Sequence, residues 1–76
     1  MSSYDIEVKN DEETNEKYAE IECDFKSSWG RYWVYSDGSY YGFEAGWGNY
    51  NESFEGNVSD EDAPYWVTRA YEILVE

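Results

Sequence analysis

The stretch from Trp29 to Trp47, WGRYWVYSDGSYYGFEAGW, constrains this chain more than any other part of it. Two runs rich in aromatic and β-branched residues flank Asp37-Gly38, and an Asp-Gly pair tolerates the positive φ angles of a two-residue type I′ turn. The spacing predicts a β-hairpin. Such a turn pairs Ser36 with Ser39, Tyr35 with Tyr40, Val34 with Tyr41, Trp33 with Gly42, Tyr32 with Phe43 and Arg31 with Glu44, the last joining opposite charges. Alternation then puts Tyr32, Val34, Tyr41, Phe43 and Ala45 on one face, and Arg31, Trp33, Tyr35, Tyr40 and Glu44 on the other. The first face is expected to be core. The second carries three large rings that a helix on the opposite side cannot cover, so they are either surface aromatics or a binding surface.

Three more segments show a clear period. Tyr4 to Lys9 alternates, with Tyr4, Ile6 and Val8 against Asp5, Glu7 and Lys9, which predicts a half-buried strand. Lys17 to Lys26 alternates again, with Ala19, Ile21, Cys23 and Phe25 inward and Tyr18, Glu20, Glu22 and Asp24 outward. The acidic run between them, Asn10 to Glu16, is expected to be an exposed, mobile turn. Ser59 to Glu76 carries the helical signal, with Ala63, Trp66, Val67, Ala70, Ile73 and Leu74 on one side. Asp60, Glu61 and Asp62 suit the positive end of the helix dipole, and Pro64 favours a start after Asp60 or Asp62. Gly46 to Val58 has no period, because glycines and asparagines interrupt it; a loop or a short edge strand near Glu52 to Phe54 both fit.

The fold class that follows is α+β: a four-stranded antiparallel sheet, with room for a fifth strand, and one C-terminal helix packed across one face. The expected core is Ile6, Val8, Ile21, Cys23, Phe25, Val34, Tyr41, Phe43, Trp66, Val67, Ala70, Ile73 and Leu74. The opposite face collects Asp5, Glu7, Tyr18, Glu20, Glu22, Asp24, Trp33, Tyr35, Tyr40 and Glu44. These ten residues are the candidate partner-binding site.

Length and charge narrow the function. The 76 residues make one domain, of a size that buries only about 60% of its unfolded surface. With 18 Asp and Glu, 5 Lys and Arg and a formal net charge of −13, the chain repels nucleic acid and anionic membranes and suits a basic partner. High charge and low hydropathy favour disorder, but 21% aromatic residues and a legible strand pattern argue for a folded domain. The N-terminal MSSYDIEVKN lacks the basic and apolar regions of a signal peptide, and the single Cys23 excludes an internal disulfide; both point to the cytoplasm. Two glycosylation patterns, at Asn51 and Asn57, are then chance matches.

Catalysis is not expected: there is no histidine to act as base, Cys23 points inward, and no glycine loop cradles a phosphate. No cofactor is implied. The acidic runs at Asp11 to Glu13 and Asp60 to Asp62 lack calcium-loop spacing, so no metal site is expected either. Excess carboxylates also keep a protein soluble, or reflect a salt-loving source. Their placement suggests more, since Glu20, Glu22 and Asp24 follow one another on one side of a strand at about 6.7 Å, a pitch comparable to that of phosphates along a nucleic-acid strand. A groove that binds nucleic acid with lysine and arginine could take such a comb instead.

In length, acidity, strand count and C-terminal helix, the chain resembles the phage-encoded inhibitors of bacterial defence, anti-CRISPR proteins and DNA mimics among them. That resemblance implies a non-enzymatic inhibitor that occupies the nucleic-acid-binding surface of a basic protein or nucleoprotein complex, a CRISPR effector in the first place. It implies no direct contact with nucleic acid and none with membrane. An immunity protein or antitoxin against a basic nuclease is the neighbouring alternative. Locally, WGRYWVYSDGSYYGFEAGW is similar to one repeat of the choline-binding, cell-wall-anchoring modules, which implies instead an aromatic platform for carbohydrate or choline. Those modules work as arrays, whereas here the motif occurs once.

Overall fold

The computed structural model describes residues 3–25, 27–46, 48 and 51–76. Five strands follow one another, β1 (Ser3–Asn10), β2 (Lys17–Asp24), β3 (Ser28–Tyr35), β4 (Ser39–Gly46) and β5 (Asn51–Asn57), and the chain ends in α1 (Tyr65–Val75). Each strand pairs antiparallel with the next, so the sheet is a meander in the order β1-β2-β3-β4-β5. The α+β architecture and the fifth strand are therefore present, the latter longer than the expected Glu52 to Phe54. Phe54 explains why it forms despite its glycine and asparagines, since its ring stacks on Tyr32 at 6.1 Å. The expected ends of the second strand and of the hairpin, Lys26 and Trp47, lie outside the described residues.

The turns are built from side chains that satisfy their own backbone. Asp11 accepts from the Glu13 N–H at 2.9 Å and its carbonyl from the Asn15 N–H at 2.7 Å, while Asn15 takes φ 59°. The expected exposed acidic turn is there, its backbone closed by these bonds. At the hairpin tip, the Gly38 N–H donates to the Tyr35 carbonyl at 3.0 Å and Gly38 alone takes a positive φ, of 92°. This is a three-residue loop of a β-turn followed by a left-handed glycine, not the two-residue turn expected from Asp37-Gly38. Asp37 accepts instead from the N–H and hydroxyl of Ser39, at 2.9 and 2.6 Å, which ties it to the loop's exit and pulls its carboxyl below the ordinary range.

One extra loop residue shifts the register by one, and one shift turns every side chain of β4 over. Val34 faces Tyr40, Trp33 faces Tyr41, Tyr32 faces Gly42 and Arg31 faces Phe43. Tyr40, Gly42 and Glu44 therefore point toward the helix, and Tyr41, Phe43 and Ala45 away from it. The expected core positions Tyr41 and Phe43 are corrected accordingly, as is the Arg31–Glu44 pair. Gly42 shows why the observed register is the stable one: the Tyr32 ring lies on its backbone, and a Cβ there would stand 2.1 Å from that ring.

The core is Ala19, Ile21, Cys23, Tyr32, Val34, Tyr40, Val67 and Ala70, with Ile6, Phe25, Phe54, Val58, Ala63, Trp66, Tyr71 and Leu74 packed around it. Val8, near the end of edge strand β1, is 42% exposed, and Ile73 lies outside the cluster. The helix crosses β2 and β3 and touches β1. Trp66 anchors it against Phe25 and Tyr32, with ring centroids 5.5 and 5.6 Å away. Pro64 occupies the cap position in extended geometry, and the first turn holds no acidic residue, so Asp60, Glu61 and Asp62 do not complement the dipole as expected. Asp60 binds the Asn57 N–H at 3.0 Å instead and closes the connection out of β5.

Candidate functional site

The face away from the helix is open. Reading its rows across the strands gives Asp24, Trp29 and Ala45; then Asp5, Glu22, Arg31 and Phe43; then Glu7, Glu20, Trp33 and Tyr41; then Lys9, Tyr18 and Tyr35. Carboxylates occupy β1 and β2, and rings occupy β3 and β4. The face is split by chemistry into a charged half and an aromatic half.

The aromatic half is continuous. Trp29 meets Phe43 edge-on at 5.4 Å, Trp33 stacks on Tyr41 at 5.9 Å and an interplanar angle of 23°, and Trp33 reaches Phe43 at 5.9 Å. Tyr18 and Tyr35 form a second pair at 6.2 Å, across β2 and β3. These rings stabilise the sheet by about 0.5–1.5 kcal/mol per pair, yet Trp29, Tyr41 and Tyr35 remain 50, 46 and 39% exposed. Ring contacts alone leave that apolar surface in water.

The charged half is not the bare comb expected of β2. Lys9 pairs with Glu20 at 2.6 Å, and Arg31 reaches Glu20 at 3.4 Å and Glu22 at 2.9 Å. Glu20 is the better covered of the two acids, its side chain 12% exposed. Asp5, Glu7 and Asp24 are exposed and make no ion pair among the described residues, and neither does exposed Glu55 of β5 beside Tyr41, so negative charge borders the rings at the β1 side, at the Asp24 end and at the β5 edge.

Of the ten expected site residues, eight share this face: Asp5, Glu7, Tyr18, Glu20, Glu22, Asp24, Trp33 and Tyr35. Two do not. Tyr40 is buried in the core, and Glu44 lies on the helix side, where it accepts the Tyr32 hydroxyl at 2.5 Å. Both corrections come from the register shift. The same shift brings in Tyr41 and Phe43, and Trp29 and Arg31 complete the face. The signal that could have found them is Ser39, whose hydroxyl and N–H give Asp37 a local partner and so favour the longer loop.

Cys23 is buried, and burial, reinforced by the Glu44 charge, pushes its thiol up to about 12. It is not nucleophilic at neutral pH. Among the described residues no group of three or more Cys, Asp or Glu is arranged to hold a metal ion, and no helix is long and apolar enough to cross a membrane. No protein-family model matches the sequence, and neither a curated protein nor a solved structure matches it.

Proposed function

We propose that this protein is a non-enzymatic inhibitor that docks the open face of its sheet on a basic protein surface, one that otherwise holds nucleic acid. The observation that carries this reading is the split face: exposed rings on β3 and β4, bordered by the carboxylates of β1 and β2. Rings supply the desolvated anchors, and the net charge of −13 steers encounter with a basic partner. Because Glu20 and Glu22 are held by Lys9 and Arg31, the face acts less as a copy of a phosphate row than as an aromatic patch in a negative field. A CRISPR effector is the partner class proposed first, and a basic nuclease the neighbouring one; either places the protein in the cytoplasm, that of the host if a phage encodes it.

The test is competition. Purified effector complexes and nucleases would be titrated with the protein in the presence and absence of duplex DNA, and again with Trp33→Thr. A partner is expected whose binding is mutually exclusive with DNA and about thirtyfold weaker for the variant, equivalent to about 2 kcal/mol, mostly through faster dissociation. Simultaneous binding of DNA and this protein, or indifference to Trp33, defeats the proposal.

The near-parallel Trp33 and Tyr41 rings favour one second reading, a platform for a sugar or choline. Such binding would ignore salt and yield to the free ligand.

A further inference from the structure

The helix packs on β2 and β3 and touches β1, and β4 and β5 extend past it on the same side of the sheet. A groove of about 430 Å³ lies there, floored by the buried Tyr32 and Tyr40, walled by the half-buried Phe54 and Trp66 and edged by Glu44 and Asp62. The walls are aromatic by construction: Tyr32 stacks on Phe54 and meets Trp66, and the missing side chain of Gly56 lets the Tyr40 ring and the Asp60 carboxylate close in, since a Cβ there would stand 3.2 and 2.7 Å from them. No lysine or arginine is among the described lining residues. The field is negative, as the Tyr40 hydroxyl records: burial raises its pKa, and Asp62 and then Asp60 raise it further.

Ring faces and carboxylates together select a cation with a flat, weakly hydrated surface. A guanidinium can lie against an aromatic wall while its N–H groups reach a carboxylate, which an ammonium does less well. We propose that this groove receives an arginine side chain of a protein partner. The site lies on the opposite side of the sheet from the open face and stands whether or not that face binds what is proposed for it.

The experiment uses the whole chain, labelled with ¹⁵N, and three probes: blocked arginine, blocked lysine and blocked citrulline, the neutral counterpart of arginine. Arginine is expected to shift the Trp66 indole and the Gly42 and Gly56 amides saturably, at about millimolar affinity. Citrulline should bind at least tenfold more weakly, and Asp62→Asn, an exposed loop change, should weaken arginine several-fold with the rest of the spectrum unmoved. Equal shifts with citrulline, an unaffected Asp62→Asn, or shifts confined to the Trp29 and Trp33 indoles would overturn the proposal. Lysine binding as tightly as arginine would overturn the choice of guanidinium.

Discussion

Tyr32 gathers several of the protein's polar accounts on one hydroxyl. Its ring is buried on the Gly42 backbone, and its O–H donates to Glu44, whose charge also reaches Cys23. Burial first, and Glu44 second, hold the Tyr32 hydroxyl far above its ordinary value. Burial likewise holds Cys23 at about 12 against an ordinary 9.0. Both groups fold protonated and unfold into a state that releases the proton more easily. Raised values stabilise the fold fully below the unfolded pKa, and that stability is lost as pH rises toward the folded one. These two groups are therefore expected to leave the unfolding free energy unchanged between pH 7 and about 9 and to lower it above that. Cys23→Ala should remove the part of the decline that begins at 9 and leave the Tyr32 part, which begins near 10. Urea denaturation from pH 7 to 11 reads both. A Cys23→Ala curve parallel to the wild type would mean that Cys23 is as ionisable folded as unfolded.

The strands and the helix were legible because each has a period, two in β1 to β3 and about 3.6 from Ala63 to Leu74; burial follows it in β2 and β3, whereas in edge strand β1 Tyr4 and Val8 stay exposed and Ile6 alone of its apolar residues is half-buried. Trp66 is where the helix is fixed. Its ring touches Phe25 and Tyr32 and lies 6.5 Å from Tyr4, so it joins β1, β3 and the end of β2 to the helix. Truncating Trp66 to alanine is expected to cost about 3 kcal/mol, the lower end for a large aromatic because the ring is only partly buried. Trp29→Thr on the open face should cost less than about 1 kcal/mol. Chemical denaturation of the two variants side by side measures the difference, and equal losses would mean that the helix is not the lid of the core. What the sequence did not reveal depends on single backbone choices. Asp37-Gly38 is compatible with a two-residue and a three-residue loop, and the bonds from Ser39 to Asp37 and the packing of Tyr32 on Gly42 together select the longer one. That one choice moved Tyr40 and Glu44 out of the candidate site and Tyr41 and Phe43 into it. The fifth strand was obscured because its one large apolar side chain, the half-buried Phe54, stands between residues that have no period. The helix start was obscured because Asp60 serves the preceding turn and leaves the cap to Pro64, which has no side-chain donor or acceptor.

At the scale of the whole molecule the dominant fact is a net charge of −13 confined within a radius of gyration of 12.5 Å. The screening length in 0.1 M salt is about 10 Å, comparable to that radius, so at low ionic strength carboxylates on opposite sides of the domain still repel one another. In 1 M salt it shrinks to about 3 Å and only neighbours interact. Two contributions then change in opposite directions. Self-repulsion, spread over many pairs, is relieved, while the Lys9–Glu20 and Arg31–Glu22 pairs weaken. Exposed pairs of this kind contribute about 0–1 kcal/mol each, and there are few of them. Relief of repulsion should win, and the protein is expected to become more stable as sodium chloride rises from 0.05 to 1 M, seen as a higher urea midpoint with an unchanged slope. Lowering the pH to about 4, where roughly half of the carboxylates are neutral, should flatten that dependence, which separates charge screening from a general effect of salt on apolar burial. A midpoint that falls with salt at pH 7 would show that the ion pairs of β1 to β3 outweigh the repulsion of the whole. The charged half of the open face would then be a structural network first and a steering surface second.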